Sequence, residues 1–329
     1  MSVRETWGVR LPNSGPFAEA PILLDLATLA ESLGYDKVWV HDHISWPRDK
    51  LTHFATGSIE ACTDQDPNFY ESIATAAFLL GRLKQIEVGI AGLVLPLRDP
   101  RVLGKQLAAI DRLSDSRFTA AVGIGAIPGD FDVMGVPFQR RGAITNDVIA
   151  ALRAVLYDPS PVDFDSDSLS FGGGTFFPRP NDLDLWVTGS SDAGLRRAVD
   201  FGDGWLTVYQ SVDEFRALAR RLAVLAEQSD RDPGEIEHAY ETYVCVGSTT
   251  GEAASIAGLS LLNKFKSLDR GMAVCLIGDA NEVLRRIAEY RDAGAHHIEL
   301  KFIAHDIRQL HWMIEELASA RGEESGGTD

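Results

Sequence analysis

The chain of 329 residues carries 48 Asp and Glu against 31 Lys and Arg, a formal net charge of −17 at pH 7. An acidic chain without a basic stripe is unsuited to nucleic acid or an anionic membrane, and we predict neither partner. Hydrophobic residues make up 45%, enough for a large core, and three widely spaced cysteines indicate neither a disulfide framework nor a zinc knuckle. Because neither a signal peptide nor a membrane-length apolar run is recognised, we expect a cytoplasmic location.

Short apolar runs alternate with helically spaced apolar residues from the start of the chain. A strand is predicted at 6–11, and a helix follows at 21–33, with Pro21 in the first turn and Gly34 as its stop. The apolar run 38–40 is the second strand, and a helix follows at 68–83. The strand at 87–95 lacks polar alternation, so we expect both of its faces to be covered.

The alternation continues to the end of the chain. Further strands are predicted at 118–123, 185–189, 204–209, 236–246 and 297–302, and further helices at 100–113, 141–157, 193–201, 212–228, 250–265, 280–292 and 306–320. Eight strands alternating with helices predict a parallel sheet, and their even spacing favours a (β/α)8 barrel over a doubly wound sheet. We predict one barrel domain over residues 1–320 and a frayed tail at 321–329.

Three segments lack a regular pattern, and a fourth is an insertion that includes the predicted helix at 250–265. Residues 44–67 are polar and aperiodic, 125–135 are a glycine-rich loop, and 158–180 are an insertion rich in Asp, Ser, Gly, Phe and Pro. Residues 250–270 are a second insertion, partly helical. Long irregular segments within a compact domain are usually functional or mobile. We expect the segments 44–67, 158–180 and 250–270 to form the substrate pocket.

The second strand ends in three ionisable residues, His41, Asp42 and His43. The two histidines lie two residues apart, hence on one face of an extended chain, which is one arrangement for binding a metal. A metal site needs further ligands, and His305 after the last strand is the only tempting partner, so we predict no metal. His43 is furthest out and suits proton transfer, whereas we expect His41 to pack inside the barrel. From its position alone, Asp42 could simply cap or brace the loop.

The fifth strand runs into Gly189, Ser190, Ser191 and Asp192, and a helix starts at once. A glycine, two hydroxyls and a helix N-terminus favour an anion such as phosphate. The alternative is ordinary helix capping by Ser191 or Asp192. The sequence leaves both interpretations open.

Glycines also follow the fourth strand. Their spacing from Gly123 to Gly129 is GxGxxxG, and Pro128 falls where the helix of a dinucleotide fold begins, so the dinucleotide interpretation is weak. Gly123 and Gly125 are better explained as sites where a planar ring approaches a strand end. Among the aromatic residues, Trp46 follows a strand and suits a pocket wall. Phe177 either anchors the insertion or covers a ligand.

Four blocks of sequence resemble the luciferase-like flavin oxidoreductases in order and spacing. They are LGYDKVWVHDHISWP at 33–47, the stretch 93–142, FGGGTFFPRP at 171–180 and LWVTGSSDAGLRRAVDFGDGW at 185–205. The resemblance is strongest to the branch that uses the deazaflavin coenzyme F420. It implies a (β/α)8 barrel, an isoalloxazine-type ring over the strand ends and a homodimer.

The resemblance also implies roles for particular residues. Asp42 and His43 match a catalytic pair beside the reactive carbon of the ring. Gly92 and Leu93 match a third-strand end that supports the ring, often through a non-proline cis peptide, which we expect at the Gly92–Leu93 bond. Gly189, Ser190 and Ser191 match the phosphate-binding turn, and Trp46 lies near an aromatic wall.

One departure from the family pattern excludes one class of activity. Sugar-phosphate dehydrogenases of this family carry a glutamate just after the GxG turn, where this chain has Ala126. We therefore predict an oxidoreductase that transfers a hydride between coenzyme F420 and another small organic substrate. The alternatives are an FMN-dependent monooxygenase, a metal-dependent barrel hydrolase using His41, His43 and His305, and a non-catalytic flavoprotein subunit.

Overall fold

The computed structural model describes residues 5–45 and 68–326, with side chains of the last helix described as far as residue 322. A 9-stranded sheet contains the eight predicted strands, each parallel to its neighbours, and the pairing of Gly204–Val208 with Glu237–Val246 closes it into a barrel. The predicted (β/α)8 barrel is therefore confirmed. One short additional strand, Leu276–Gly278, pairs in parallel with the carboxyl end of Glu237–Val246.

The elements follow one another as strand and helix through most of the chain. The strands are β1 Thr6–Arg10, β2 Lys37–Val40, β3 Glu87–Val94, β4 Phe118–Gly123, β5 Val162–Asp165, β6 Ser170–Gly174, β7 Asp184–Thr188, β8 Gly204–Val208, β9 Glu237–Val246, β10 Leu276–Gly278 and β11 His297–Phe302. The helices are α1 Ala20–Ser32, α2 Ser72–Leu80, α3 Pro100–Ser114, α4 Pro128–Met134, α5 Arg141–Tyr157, α6 Asp192–Phe201, α7 Val212–Gln228, α8 Thr250–Phe265, α9 Leu268–Val274, α10 Ala280–Asp292 and α11 Ile307–Gly326.

Two tryptophans fill the interior of the barrel. Trp39 and Trp186 are fully buried, with ring centroids 5.5 Å apart, and alanines of the neighbouring strands pack around them. A Cβ atom at Gly89 would lie 2.2 Å from the Trp39 ring, so this strand position must remain glycine. The large side chains of two strands thus require small ones on the strands that face them.

Polar side chains form a separate layer at the amino ends of the strands. The Lys37 ammonium donates to Thr119 Oγ1 at 2.6 Å and pairs with the Glu87 carboxylate at 3.0 Å. Nearby, Trp39 Nε1 donates to His297 Nε2 at 3.0 Å, and burial holds the pKa of His297 well below its ordinary value. Because paired polar groups and aromatic rings occupy this end, the opposite end is the one available for a ligand.

Three segments differ from the prediction. The loop predicted at 125–135 contains α4, because Pro128 occupies the first helical turn, where proline is tolerated. The insertion at 158–180 contains β5 and β6, an antiparallel pair. Helix α11 continues to Gly326 through a segment predicted to be frayed. Within the described residues, none of the helices combines the length and apolar character needed to cross a membrane.

Candidate active site

A cavity of about 470 Å³ lies at the carboxyl ends of the barrel strands. This is the face that carries the active site in (β/α)8 barrels, and the volume falls in the range of small-molecule sites. Among the residues that the structure describes, its walls are formed by Arg10, His41, Asp42, His43, Ala91, Gly92, Val94, Gly123, Ile124, Gly125, Ala126, Thr188, Gly189, Ser190, Ser191, Gly194, Val208, Tyr209, Glu241, Lys264 and Lys301.

Asp42 is buried at the end of β2, and both of its carboxylate oxygens accept hydrogen bonds from protein groups. Oδ2 accepts from the Val94 backbone N–H at 2.8 Å. Oδ1 accepts from the Ser72 hydroxyl at 2.6 Å and from the Arg98 guanidinium at 2.5 Å. These three donors come from β3, α2 and the chain between β3 and α3. Asp42 therefore braces the end of β2 against its neighbours.

His43 lies in the cavity wall and is oriented by a residue from another part of the chain. Its Nδ1 lies 3.1 Å from Oδ2 of Asp130, which is only 1% exposed in α4. The other oxygen of Asp130 accepts from the Ser45 backbone N–H at 2.8 Å. A carboxylate can only accept, so Nδ1 is the donor in this contact, and Nε2 is the other ring nitrogen.

His41 has a different environment from His43. It is buried, its Nε2 lies 3.0 Å from the Ser14 hydroxyl, and its ring meets Phe69 edge-on. Burial holds the pKa of His41 well below its ordinary value, so the ring is neutral. His305 lies outside the described cavity wall. The described residues contain no group of three His, Cys, Asp or Glu side chains that is arranged for a metal.

The turn from β7 into α6 is tight. The Ser191 hydroxyl accepts from the Gly194 N–H at 3.2 Å and caps the helix. Helix capping was one of the two interpretations that the sequence left open. Gly189 has a φ of +146°, and a Cβ at Gly194 would lie 3.2 Å from the Gly189 Cα. The amino end of α6 therefore sits directly against the strand end. Gly189, Ser190 and Ser191 all line the cavity, so capping does not exclude an anion at this turn.

A group of buried charges underlies the cavity. Arg10 Nε donates to Glu299 Oε1 at 2.5 Å, and the Arg10 guanidinium lies 3.1 Å from Glu241 Oε2. Burial raises the pKa of Glu299 to about 8, although the adjacent Arg10 opposes the shift. Arg10, Glu241 and Lys301 line the cavity. The described floor is therefore polar, in contrast to the tryptophan layer beneath it.

The glycines of β3 and β4 make room for protein atoms. A Cβ at Gly123 would lie 2.5 Å from Thr188 Oγ1, and one at Gly92 would lie 3.2 Å from Thr188 Cγ2. Gly125 has a φ of +74°, and its Cβ would meet Val94 and Phe131 within 3 Å. These neighbours explain the glycines without any ligand. All three glycines nevertheless line the cavity, as expected for positions that a ring approaches.

The cis peptide bond predicted between Gly92 and Leu93 is wrong by one position. It joins Ala91 to Gly92. The pairing of β3 with β4 shifts between Ala91 and Leu93, which leaves Gly92 outside the regular register. That irregularity places Gly92 in the cavity wall and turns Leu93 into the core.

Two other predicted site residues lie outside the described cavity wall, and a third falls in a part of the chain that the structure does not describe. Leu93 is fully buried in the core between strands and helices and is absent from the described cavity wall. Phe177 is 56% exposed near the β5–β6 hairpin, where its carbonyl accepts from Lys105 of α3. Trp46 lies outside the described residues, as does the segment 46–67. Of the two other predicted pocket segments, 250–270 contributes Lys264, whereas the described wall includes no residue of 158–180.

Asp130 and Tyr209 are among the residues at or beside the site that the sequence analysis missed. Asp130 lies in a segment predicted to be a loop, and only the fold brings it to His43. Tyr209 follows β8 with a φ of 54°, which is uncommon for a residue other than glycine. It lines the cavity and stacks on Tyr243 with centroids 5.4 Å apart. Its position at the carboxyl end of a predicted strand was the available signal.

The fold agrees with comparisons to known proteins. A family model described as luciferase-like monooxygenase matches residues 10–267, so the chain belongs to the luciferase-like monooxygenase family, whose members are oxidoreductases. The 5,10-methylenetetrahydromethanopterin reductase of Methanolobus tindarius is 24% identical over 256 residues, covering 77% of this chain and 69% of the relative.

Two solved structures share the fold over almost the whole chain. An F420-dependent secondary alcohol dehydrogenase superposes with a TM-score of 0.81 at 19% identity, covering 96% of this chain and 98% of the other. The monooxygenase RslO1 of Streptomyces bottropensis superposes with a TM-score of 0.79 at 18% identity, covering 98% and 100%. The neighbours of this chain thus include enzymes of both the F420-dependent and the monooxygenase type.

Proposed function

We propose that this protein is an oxidoreductase that transfers a hydride between coenzyme F420 and a small organic substrate. The observation that carries the proposal is a single cavity that contains a turn suited to a phosphate and a histidine suited to moving a proton. The likeness to an F420-dependent secondary alcohol dehydrogenase supports the deazaflavin as the cofactor.

The residues of the cavity fit a cofactor with a phosphate and a planar ring. Backbone N–H groups at the start of α6 and the hydroxyls of Ser190 and Ser191 would hold the phosphate. The strand ends at Gly92 and Gly123 present backbone without side chains of their own, so a ring could lie close to them. A bound deazaflavin would supply the hydride acceptor or donor.

The residues of this chain would handle the proton. Removing a hydride from the carbon of an alcohol requires that the hydroxyl proton leave, and the reverse reaction requires its return. His43 has the residue type and the position for this exchange. Its Nδ1 contacts Asp130, so the exchange would take place at Nε2. Asp42, with three hydrogen bonds from protein donors, would keep the end of β2 in place.

A second candidate function is an FMN-dependent monooxygenase on the same barrel. The description of the family model and the likeness to RslO1 favour it. The two candidates use the same phosphate turn and strand ends, so the identity of the ring distinguishes them.

Titration of the purified protein with each cofactor separates the candidates. We expect quenching of F420 fluorescence with saturable binding, and weaker binding of FMN. Turnover is then measured as loss of F420 absorbance with propan-2-ol, cyclohexanol or ethanol, and in reverse with acetone and reduced F420. Tight binding of FMN without binding of F420 would overturn the proposal in favour of the monooxygenase.

A further inference from the structure

We infer that Asp130 is a positioning residue that sets the tautomer and the orientation of His43. The inference rests on the proposed function in one respect, the role of His43 as the proton carrier. Asp130 belongs to α4, 87 residues from His43 in the chain, and it is 1% exposed. A buried carboxylate beside a cavity histidine is the arrangement that fixes an imidazole in one tautomer.

The two oxygens of Asp130 perform different tasks. Oδ1 accepts from the Ser45 backbone N–H at 2.8 Å, and Oδ2 lies 3.1 Å from His43 Nδ1. A backbone N–H can only donate, so it fixes which oxygen remains for the histidine. The carboxylate therefore ties the chain after β2 and the His43 ring to the same point.

The carboxylate is held by the packing of α4. Phe131, the next residue, is fully buried against Val94 and Leu97, and its ring meets Phe138 edge-on at 5.1 Å. Gly125 at the start of the connection has no side chain that would push Phe131 away. Because the anchor of the helix adjoins Asp130, the carboxylate has little freedom to turn from His43.

The substitution Asp130→Asn tests the inference without changing the size of the side chain. The amide oxygen can still accept from Ser45, which leaves the amide NH2 facing His43 Nδ1. An NH2 group can only donate, so Nδ1 must become the acceptor and the ring proton must move to Nε2. Asp132→Asn is the matched control, since Asp132 is an exposed residue of the same helix.

The tautomer is read from the ¹⁵N chemical shifts of labelled histidines in the protein without cofactor. The chain has eight histidines, and His43→Ala identifies the signal of His43. We expect Nδ1–H in the parent protein and in Asp132→Asn, and Nε2–H in Asp130→Asn. If Asp130→Asn does not fold, Asp130→Ala is expected to show a shift of the same signal toward Nε2–H. An unchanged signal in the folded variants would overturn the inference whatever the cofactor is.

Turnover provides the second measurement. With F420 and the fastest alcohol of the panel, we expect Asp130→Asn to lower kcat about 10- to 1000-fold, with the Kd for F420 within about 3-fold of the parent value. Asp132→Asn should match the parent in both. If the tautomer changes but kcat does not, Asp130 positions a histidine that the reaction does not use. Absence of F420 binding in the parent protein contradicts the proposed function and leaves the tautomer result standing.

Discussion

At the scale of single residues, the adjacent residues Asp42 and His43 have different surroundings and different roles. Successive side chains of an extended strand point to opposite sides, so Asp42 and His43 face different surroundings. Asp42 meets Val94, Ser72 and Arg98, whereas His43 meets Asp130. The sequence predicted both as a catalytic pair. The hydrogen bonds of Asp42 favour a bracing role, which leaves His43 as the residue suited to chemistry.

Replacing His43 by alanine should therefore lower turnover more than binding. We expect kcat for F420 reduction to fall about 100- to 10,000-fold, because a positioned acid or base contributes a factor of this size. The Kd for F420, measured by fluorescence quenching, should change less than about 10-fold, since the phosphate turn of β7 and α6 remains. His305→Ala, outside the described cavity wall, is the control and should retain the parent kcat. A variant His43→Ala with the parent kcat would show that another group moves the proton.

At the scale of elements, the contact between β7 and α6 determines the geometry of the turn. A Cβ at Gly194 would lie 3.2 Å from the Gly189 Cα, which is tighter than most Cβ contacts, and the φ of +146° at Gly189 disfavours a side chain there. Ser191 caps the helix between them, and Trp205 Nε1 donates to the Gly189 carbonyl at 2.6 Å. The turn is therefore fixed from the strand, from the helix and from β8.

Gly194→Ala should destabilise the protein even though alanine is the better helix former. The new Cβ would lie 3.2 Å from the Gly189 Cα, and backbone atoms cannot turn aside as a flexible side chain does. We expect a loss of about 1 to 3 kcal/mol in the free energy of unfolding, measured with urea, and weaker cofactor binding. Gly258→Ala in α8 is the matched control, because its Cβ would meet nothing within 4 Å. The free energy of unfolding of Gly258→Ala should rise by about 0.5 to 1 kcal/mol. Equal effects of the two substitutions would contradict the close contact.

At the scale of the whole molecule, the two ends of the barrel carry charge differently. Arg10, Lys264 and Lys301 line the cavity at the carboxyl ends, in a protein with a net charge of −17. The amino ends gather acidic groups around Lys37. Burial raises the pKa of Asp184 to about 6 and that of Glu237 to about 7, although Lys37 opposes both shifts. The acidic end therefore takes up protons on folding.

The pKa of Glu237 predicts a pH dependence of stability. Its pKa in the folded protein is about 7, above the ordinary value of 4.5. Its favourable contribution to the free energy of unfolding is therefore fully present below pH 4.5 and is lost as the pH rises through 7. Glu237→Gln has no carboxyl group to ionise at this position, so it should not lose stability there as the pH rises. One pKa unit corresponds to about 1.4 kcal/mol, so the variant should gain about 2 to 3 kcal/mol over the parent between pH 5 and pH 8.

The measurement is urea unfolding of the parent and the variant at both pH values. Glu235→Gln, an exposed residue two positions earlier, is the control and should show no such difference. A gain for Glu237→Gln that is the same at pH 5 and pH 8 would rule out titration of Glu237 as its cause.

The sequence by itself determined the barrel and the end of it that carries the site. Apolar periodicity is a local property, so strands such as β4 and helices such as α7 were predicted with the bounds they have. The polar residues after β2 and β7 marked two strand ends, and parallel strands bring their carboxyl ends to one face. His43 and the Gly189–Ser191 turn therefore meet in one cavity as predicted from order alone.

Only the tertiary structure decided which side chains face each other there. Asp130 reaches His43 because the fold brings α4 beside the chain after β2, and no local pattern encodes a contact across 87 residues. The bracing role of Asp42 follows from hydrogen-bond donors on three other segments. The irregular register of β3 turns the Leu93 side chain into the core and leaves Gly92 in the cavity wall. Such pairings depend on packing between distant segments, whereas periodicity reports only which face of an element is buried.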